Sequence, residues 1–356
     1  MRKGQRRNGE YFMRRYQYLD VARGLGLLLV IISHSCGLSR FLINYYIPLF
    51  FVVSGYIYKE GRSYRENITH KAKRLLIPYF GYSAVLLAVY ALMGRSLAET
   101  KASAFGILYS RYCLYDTTVV TDNAYLFTVA NGAMWYLTAF FAAGLVYHLV
   151  IDRCLSDRKF LIGTLIVLTA ITMTLADIPV LLPWSIDLAC VGTIFMIAGT
   201  LLGRAQFFEK KWNIPLIVFV FAIYILTSCL DPGINMSIRE YGIYGAFSVP
   251  LFIIVGLTGS LLCIWFGKLI ENTAPGRFIA YVGKNTIFLL AFHIFALEVI
   301  ERIASKFIAI PAPGGPIVPF VLYHALRIAA AVLGCLAVSA LIEKTKKMLS
   351  QKRRPC

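Results

Sequence analysis

Ten apolar runs of about 20 residues recur along this chain, and each is long enough to cross a hydrocarbon layer of roughly 30 Å as one helix. They fall at approximately 19–38, 41–58, 75–94, 132–151, 160–176, 185–203, 213–230, 246–267, 278–299 and 317–342. Only 15% of the 356 residues are charged, against about 25% in an ordinary soluble domain. Lipid must cover what a core of this size cannot. The pattern predicts an all-α, polytopic membrane bundle of about ten transmembrane helices, a single domain over residues 1–356.

The formal net charge is +18, yet the Lys and Arg residues sit mainly in short loops and tails between the apolar runs. With the N-terminus placed in the cytoplasm, 26 of them fall on the cytoplasmic side and 7 on the other. That asymmetry orients the chain with both termini inside, as basic tails over 1–17 and 343–356, and argues for contact with the bilayer rather than with nucleic acid. The run that follows the first tail has no small-residue cleavage site, so it reads as a retained helix. The polar segment 59–74 is expected to lie as a basic amphipathic stretch at the inner surface. Eight scattered cysteines without a CxxC pair or metal-ligand spacing read as small core residues, with no metal site.

An ionisable side chain within a membrane helix costs about 2.5–3.5 kcal/mol on insertion scales, so each needs a partner, a wet cavity or a function. YLDVARGLGLLLVIISH carries three of them. Arg23 and His34 are 11 residues apart, which returns to within roughly 20° of the same helix face about 16 Å along the axis. Asp20, one turn before Arg23, can pair with it. Two readings fit. In one, Asp20 and Arg23 form an interfacial ion pair and His34 hydrogen-bonds a neighbouring helix. In the other, both residues face one groove, where Arg23 grips an anion and His34, deeper, acts as base on a hydroxyl. Gly24 and Gly26 would admit a ligand or a second backbone.

The ninth run holds a second cluster, with Thr286 and His293 two turns apart on one face and Lys284 about half a turn round. Its imidazole fits helix packing as readily as catalysis. Glu298, Glu301 and Arg302 beyond it read as a solvated cap. Ser54 and Gly55 in FFVVSGY suit close helix packing. Trp135 and Tyr136, where a helix leaves the outer loop 95–131, read as interfacial anchors whose faces also suit sugar rings. His70, His148 and His324 have no companion pattern.

Taken in order, these segments resemble membrane-bound acyltransferase family 3, which includes bacterial O-acetyltransferases of polysaccharide and lipopolysaccharide and fucose acetylase-like members. Arg23, ten residues and His34 match its first-helix signature. FFVVSGY, RLLIPY from Arg74 to Tyr79, WYL from Trp135, and GKNT followed by His293 resemble its later segments. Lys71 stands where many members have an arginine, and Tyr136 and Thr286 where Phe and Ser are more usual. No SGNH-type esterase domain is expected after the last helix.

The resemblance implies a multi-pass protein of the bacterial inner membrane that transfers an acetyl group to a hydroxyl of a cell-surface or exported carbohydrate. Acetyl-CoA is implied as a cosubstrate, with no permanently bound cofactor. Its phosphates would dock on Lys71, Lys73 and Arg74, with Arg23 on a phosphate or the pantetheine amides. His34 would act as general base or as an acylated nucleophile, with Asp20 orienting Arg23. Ser54, Lys284, Asn285 or His293 would stabilise the thioester oxyanion, and Trp135 and Tyr136 would form the sugar platform. A flippase for a lipid-linked glycan is the alternative reading.

Overall fold

The computed structural model describes residues 16–37, 40–115, 132–231 and 235–352. The basic tail expected over 1–17 lies outside them up to residue 15, as do residues 116–131 of the outer loop and 353–356 of the C-terminal tail. The described chain is helical: α1 (Gln17–Cys36), α2 (Arg40–Tyr56), α3 (Tyr64–Leu92), α4 (Leu97–Tyr109), α5 (Trp135–Ser156), α6 (Arg158–Ala176), α7 (Ala189–Arg204), α8 (Ile214–Leu230), α9 (Ser248–Ile270), α10 (Ala274–Lys284), α11 (Thr286–Ala304) and α12 (Ile317–Lys352). Seven of these helices are long and apolar enough to cross a membrane, and α2 and α8 are shorter apolar helices. With α11 they account for the ten expected spans.

Three elements depart from the sequence pattern. The basic stretch is not a separate surface segment beyond residue 63, because a Ser63–Glu66 capping box starts a helix that runs unbroken into the apolar span of α3. The ninth span is two helices: α10 begins with a Thr273 cap and a proline in its first turn, and ends at Asn285, from which α11 sets out. The outer loop holds α4, which starts at a second capping box, Ser96 with Glu99.

The centre of the bundle is α1, α2, α7, α9 and α10, and two crossings there are close enough to exclude side chains. A Cβ on Gly24 would lie 2.1 Å from the Ile279 carbonyl oxygen and one on Gly283 1.9 Å from that of Asp20, so α1 and α10 meet backbone to backbone. The same holds for α2 on α7, where a Cβ on Gly55 would lie 1.9 Å from the Met196 carbonyl oxygen. Small residues at helix crossings are how bundles in lipid gain packing. Gly24 and Gly26 thus face protein, α10 and the side chains of Leu49 and Phe50, and not a ligand. The outward faces of α6 (Ile162, Ile166, Val167) and α8 (Val218, Phe219, Phe221) stay exposed, as surfaces in contact with lipid would be.

Candidate functional site

Two chambers enter the bundle from opposite ends. The first, about 450 Å³, is lined by Arg23, Lys71, Arg74, Lys284 and Lys346, with only Asp20 and Glu343 as counter-charges among its walls. Glu343 and Lys346 come from the C-terminal part of α12, which thus meets the N-terminal part of α1 at this basic mouth. The second chamber, about 630 Å³, holds His34 with Ser33, Tyr46, Arg95, Tyr112, Trp135, Asn235 and Ser237. The two share two wall residues, Tyr136 and Leu290. Arg23 lines the basic chamber and His34 the other, and the two chambers adjoin where Tyr136 and Leu290 line both.

In the basic chamber, Asp20 is buried and its Oδ1 lies 3.3 Å from Arg23 Nη1, the i,i+3 pairing the sequence predicts. Lys71 turns inward: its stem packs on the Gly144 position and its ammonium sits 4.7 Å from the centroid of the Phe140 ring. Lys73, one helical step away, is exposed and is not part of the chamber wall. Ser54, Lys284 and Asn285 line the same chamber. The Asn285 side chain is already engaged, its Nδ2 donating to the Tyr281 carbonyl and its Oδ1 accepting from Ser339, each at 3.0 Å. His70 and His148 line this chamber too, although nothing in their sequence neighbourhood marks them.

His34, in the second chamber, meets His293 of α11, with ring centroids 5.3 Å apart and planes tilted by 49°. His293 is 1% exposed. Its Nδ1 lies 2.9 and 3.0 Å from the Leu289 and Leu290 carbonyls. Carbonyls only accept, so Nδ1 carries the proton and Nε2 is left as an acceptor. That Nε2 is buried without a hydrogen-bond partner among the described residues. The sequence treats the two histidines separately; the structure makes them a pair, with a free acceptor on the second.

The two helices that carry this pair are tied together at their outer ends. Arg327 of α12 donates to the Ser35 carbonyl of α1 and the Leu297 carbonyl of α11, both at 3.3 Å, and pairs with Glu301. Ser35 Oγ is hydrogen-bonded to His324 Nδ1 at 3.0 Å. Glu298 accepts from Tyr90 at 2.6 Å. Of the group beyond His293, Glu298 and Glu301 are partly exposed and tied to Tyr90 and Arg327, and Arg302 is exposed as a solvated cap would be.

A second brace supports the far wall of the histidine chamber. Arg111 pairs with Asp187 and donates to the carbonyls of Ser237 and, at 3.1 Å, Leu182. Arg239 Nε lies 3.3 Å from the other Asp187 oxygen, and Arg239 also donates to the Val180 carbonyl at 3.0 Å. All three charged side chains are buried. The brace holds the chain at Ser237, whose hydroxyl meets that of Tyr112 at 2.8 Å, and both line the chamber. Trp135 lines this chamber, whereas Tyr136, expected beside it as an outer-surface anchor, is buried where the two chambers adjoin.

The arrangement offers a cation-lined chamber and an adjoining chamber with an accessible imidazole and hydrogen-bonding groups. The family model for the acyltransferase domain of acyltransferase family 3 matches residues 16–340. No curated protein and no solved structure matches the chain.

Proposed function

The chain belongs to this membrane acyltransferase family, whose domain spans residues 16–340, and on that premise we propose that it moves an acetyl group from acetyl-CoA to a hydroxyl of a cell-surface or exported carbohydrate. The observation that supports the reading is the placement of Arg23 and His34 on one helix in two chambers that adjoin at Tyr136 and Leu290. A donor with a polyanionic head and a long neutral arm fits such a pair.

In this reading the donor phosphates settle among Lys71, Arg74 and Lys346, where a cationic cleft of low-dielectric walls concentrates anions. Lys73 has no part in it. Arg23, held by Asp20, contacts the pantetheine end or a phosphate. The arm then spans the distance of about 16 Å to His34. The acceptor enters the opposite chamber and lies against Trp135, Tyr46 and Tyr112, with Asn235 and Ser237 as hydrogen-bond partners.

His34 takes the proton of the sugar hydroxyl as its oxygen attacks the thioester carbonyl, and neutral imidazole suits that step near neutral pH. The carbon–sulfur bond breaks, and the departing thiolate receives the proton from the imidazolium. Ser54, Lys284 and Asn285 lie on the donor side, where they contact the arm; His293 stands beside His34, where its ring packs on the base and limits how it can turn. With the basic mouth in the cytoplasm, where acetyl-CoA is made, the protein sits in the bacterial inner membrane and its acceptor chamber opens outward.

The test supplies acetyl-CoA labelled in the acetyl group to membrane vesicles of the native host carrying wild type or His34→Ala. Alkali-labile label in the glycan fraction of the wild type alone is the expected result. Equal label in both removes His34 from catalysis. No label in either, with glycan transport across the membrane that survives His34→Ala, supports a flippase.

A further inference from the structure

The two chambers meet at two side chains, and one of them is packed among aromatic rings. The Tyr136 ring is packed by Phe50, Phe51 and Phe140, with centroids at 5.6, 5.5 and 5.6 Å. Trp135 stands edge-on at 6.2 Å. Aromatic packing on these sides holds the ring where the two chambers adjoin. Leu290, the other wall residue, is buried, and its carbonyl accepts from His293. Leu290 is therefore joined directly to the histidine pair.

A donor bound by its phosphates in the basic chamber approaches His34 acyl end first. On the acyl-CoA reading the acyl group passes Tyr136 and Leu290, which line both chambers, before the thioester carbonyl comes within reach of a hydroxyl held at His34. We propose that Tyr136, with Leu290, sets the largest acyl group this enzyme transfers and confines it to short chains. The proposal rests on the acyl-CoA reading above. It separates two properties of a longer donor: its head group still binds the basic chamber, while its chain does not pass these two residues.

The experiment uses the full chain in native-host vesicles with acetyl-, butyryl- and hexanoyl-CoA, each labelled in the acyl group, and reads alkali-labile label in the glycan fraction. Wild type transfers butyryl at least about tenfold less well than acetyl, the scale on which one or two methylenes are discriminated by a tight apolar site. Unlabelled butyryl-CoA nevertheless competes with acetyl-CoA. In Tyr136→Ala and Leu290→Ala the butyryl-to-acetyl ratio rises by about tenfold or more; in Tyr136→Phe, which keeps the ring, the ratio stays at the wild-type value whatever the absolute rate.

Wild type that transfers butyryl as readily as acetyl overturns the proposal without reference to any variant. So does an unchanged ratio in whichever of the two alanine variants reaches the membrane. Wild type that transfers label from none of the three donors overturns the acyl-CoA reading itself, and the selector with it, and that outcome is distinct from the other two.

Discussion

Replacing Gly283 by alanine tests whether the crossing of α1 and α10 fixes the basic chamber. The new Cβ would lie 1.9 Å from the Asp20 carbonyl oxygen, whereas ordinary contact begins at 3.4 Å. The obstructing atom belongs to a helix backbone and cannot rotate away, so the two helices must part by about 1.5 Å. Forcing extra volume into a packed interior costs about 1–3 kcal/mol. Because Lys284 and Asn285 follow directly and Asp20 holds Arg23, the same movement spreads the cations that line the chamber. The assay is thermal unfolding of the detergent-solubilised protein together with CoA binding by calorimetry. Gly283→Ala lowers the midpoint by several degrees and weakens CoA by about tenfold, a change of about 1.4 kcal/mol. Gly163→Ala, in α6 where nothing lies within 4 Å of the added carbon, is neutral or stabilising by up to about 1 kcal/mol. A Gly283→Ala protein with wild-type midpoint and CoA affinity would refute the reasoning.

His293→Leu removes a buried acceptor that has no partner, so the midpoint holds or rises while acyl transfer at saturating donor falls by about 100-fold, the effect of losing about 1 Å of alignment; unchanged transfer would show that His293 does not position His34. Asp187→Asn leaves Arg111 and Arg239 buried without their carboxylate and destabilises the protein by about 3–5 kcal/mol, read as a large drop in midpoint. A midpoint equal to wild type would mean that the two guanidinium groups are satisfied by carbonyls alone. Arg327→Leu unties α1 from α11 and lowers transfer with CoA affinity unchanged; loss of CoA affinity instead would place its effect at the basic chamber.

The helices were legible because an apolar run of membrane length is a strong local signal, and nearly every expected span has a helix within a few residues of it. The Asp20–Arg23 pair was legible for a related reason: three residues on a helix is a fixed distance. What failed were inferences that needed a second helix. Arg23 and His34 line different chambers, and that these adjoin at Tyr136 and Leu290, contributed by α5 and α11, is beyond the periodicity of α1. His34 and His293 meet across 259 positions of sequence, and periodicity within one helix is silent on such a contact. Arg111, Asp187 and Arg239 read as loop charges or as the start of a span. Their burial follows from the outer turns folding back over the bundle, and the only sequence hint is that Arg111 stands between Tyr109 and the apolar run Tyr112, Cys113 and Leu114.

The proposed function would also account for one helix carrying both an arginine and a histidine so far apart. If donor and acceptor met in a common open groove, water admitted with the sugar would reach the thioester, and the cations that hold the phosphates would draw acidic glycans to the wrong end. On the proposed function, two chambers would keep the polyanion and the carbohydrate apart and bring them together only where Tyr136 and Leu290 line both. The distance from Arg23 to His34 would then match the donor arm, and the brace at Arg327 and the backbone crossing at Gly24 and Gly283 would hold that measure constant at its two ends. Catalysis by placement needs such rigidity, since the gain from holding reactants in line is lost with displacements of about 1 Å.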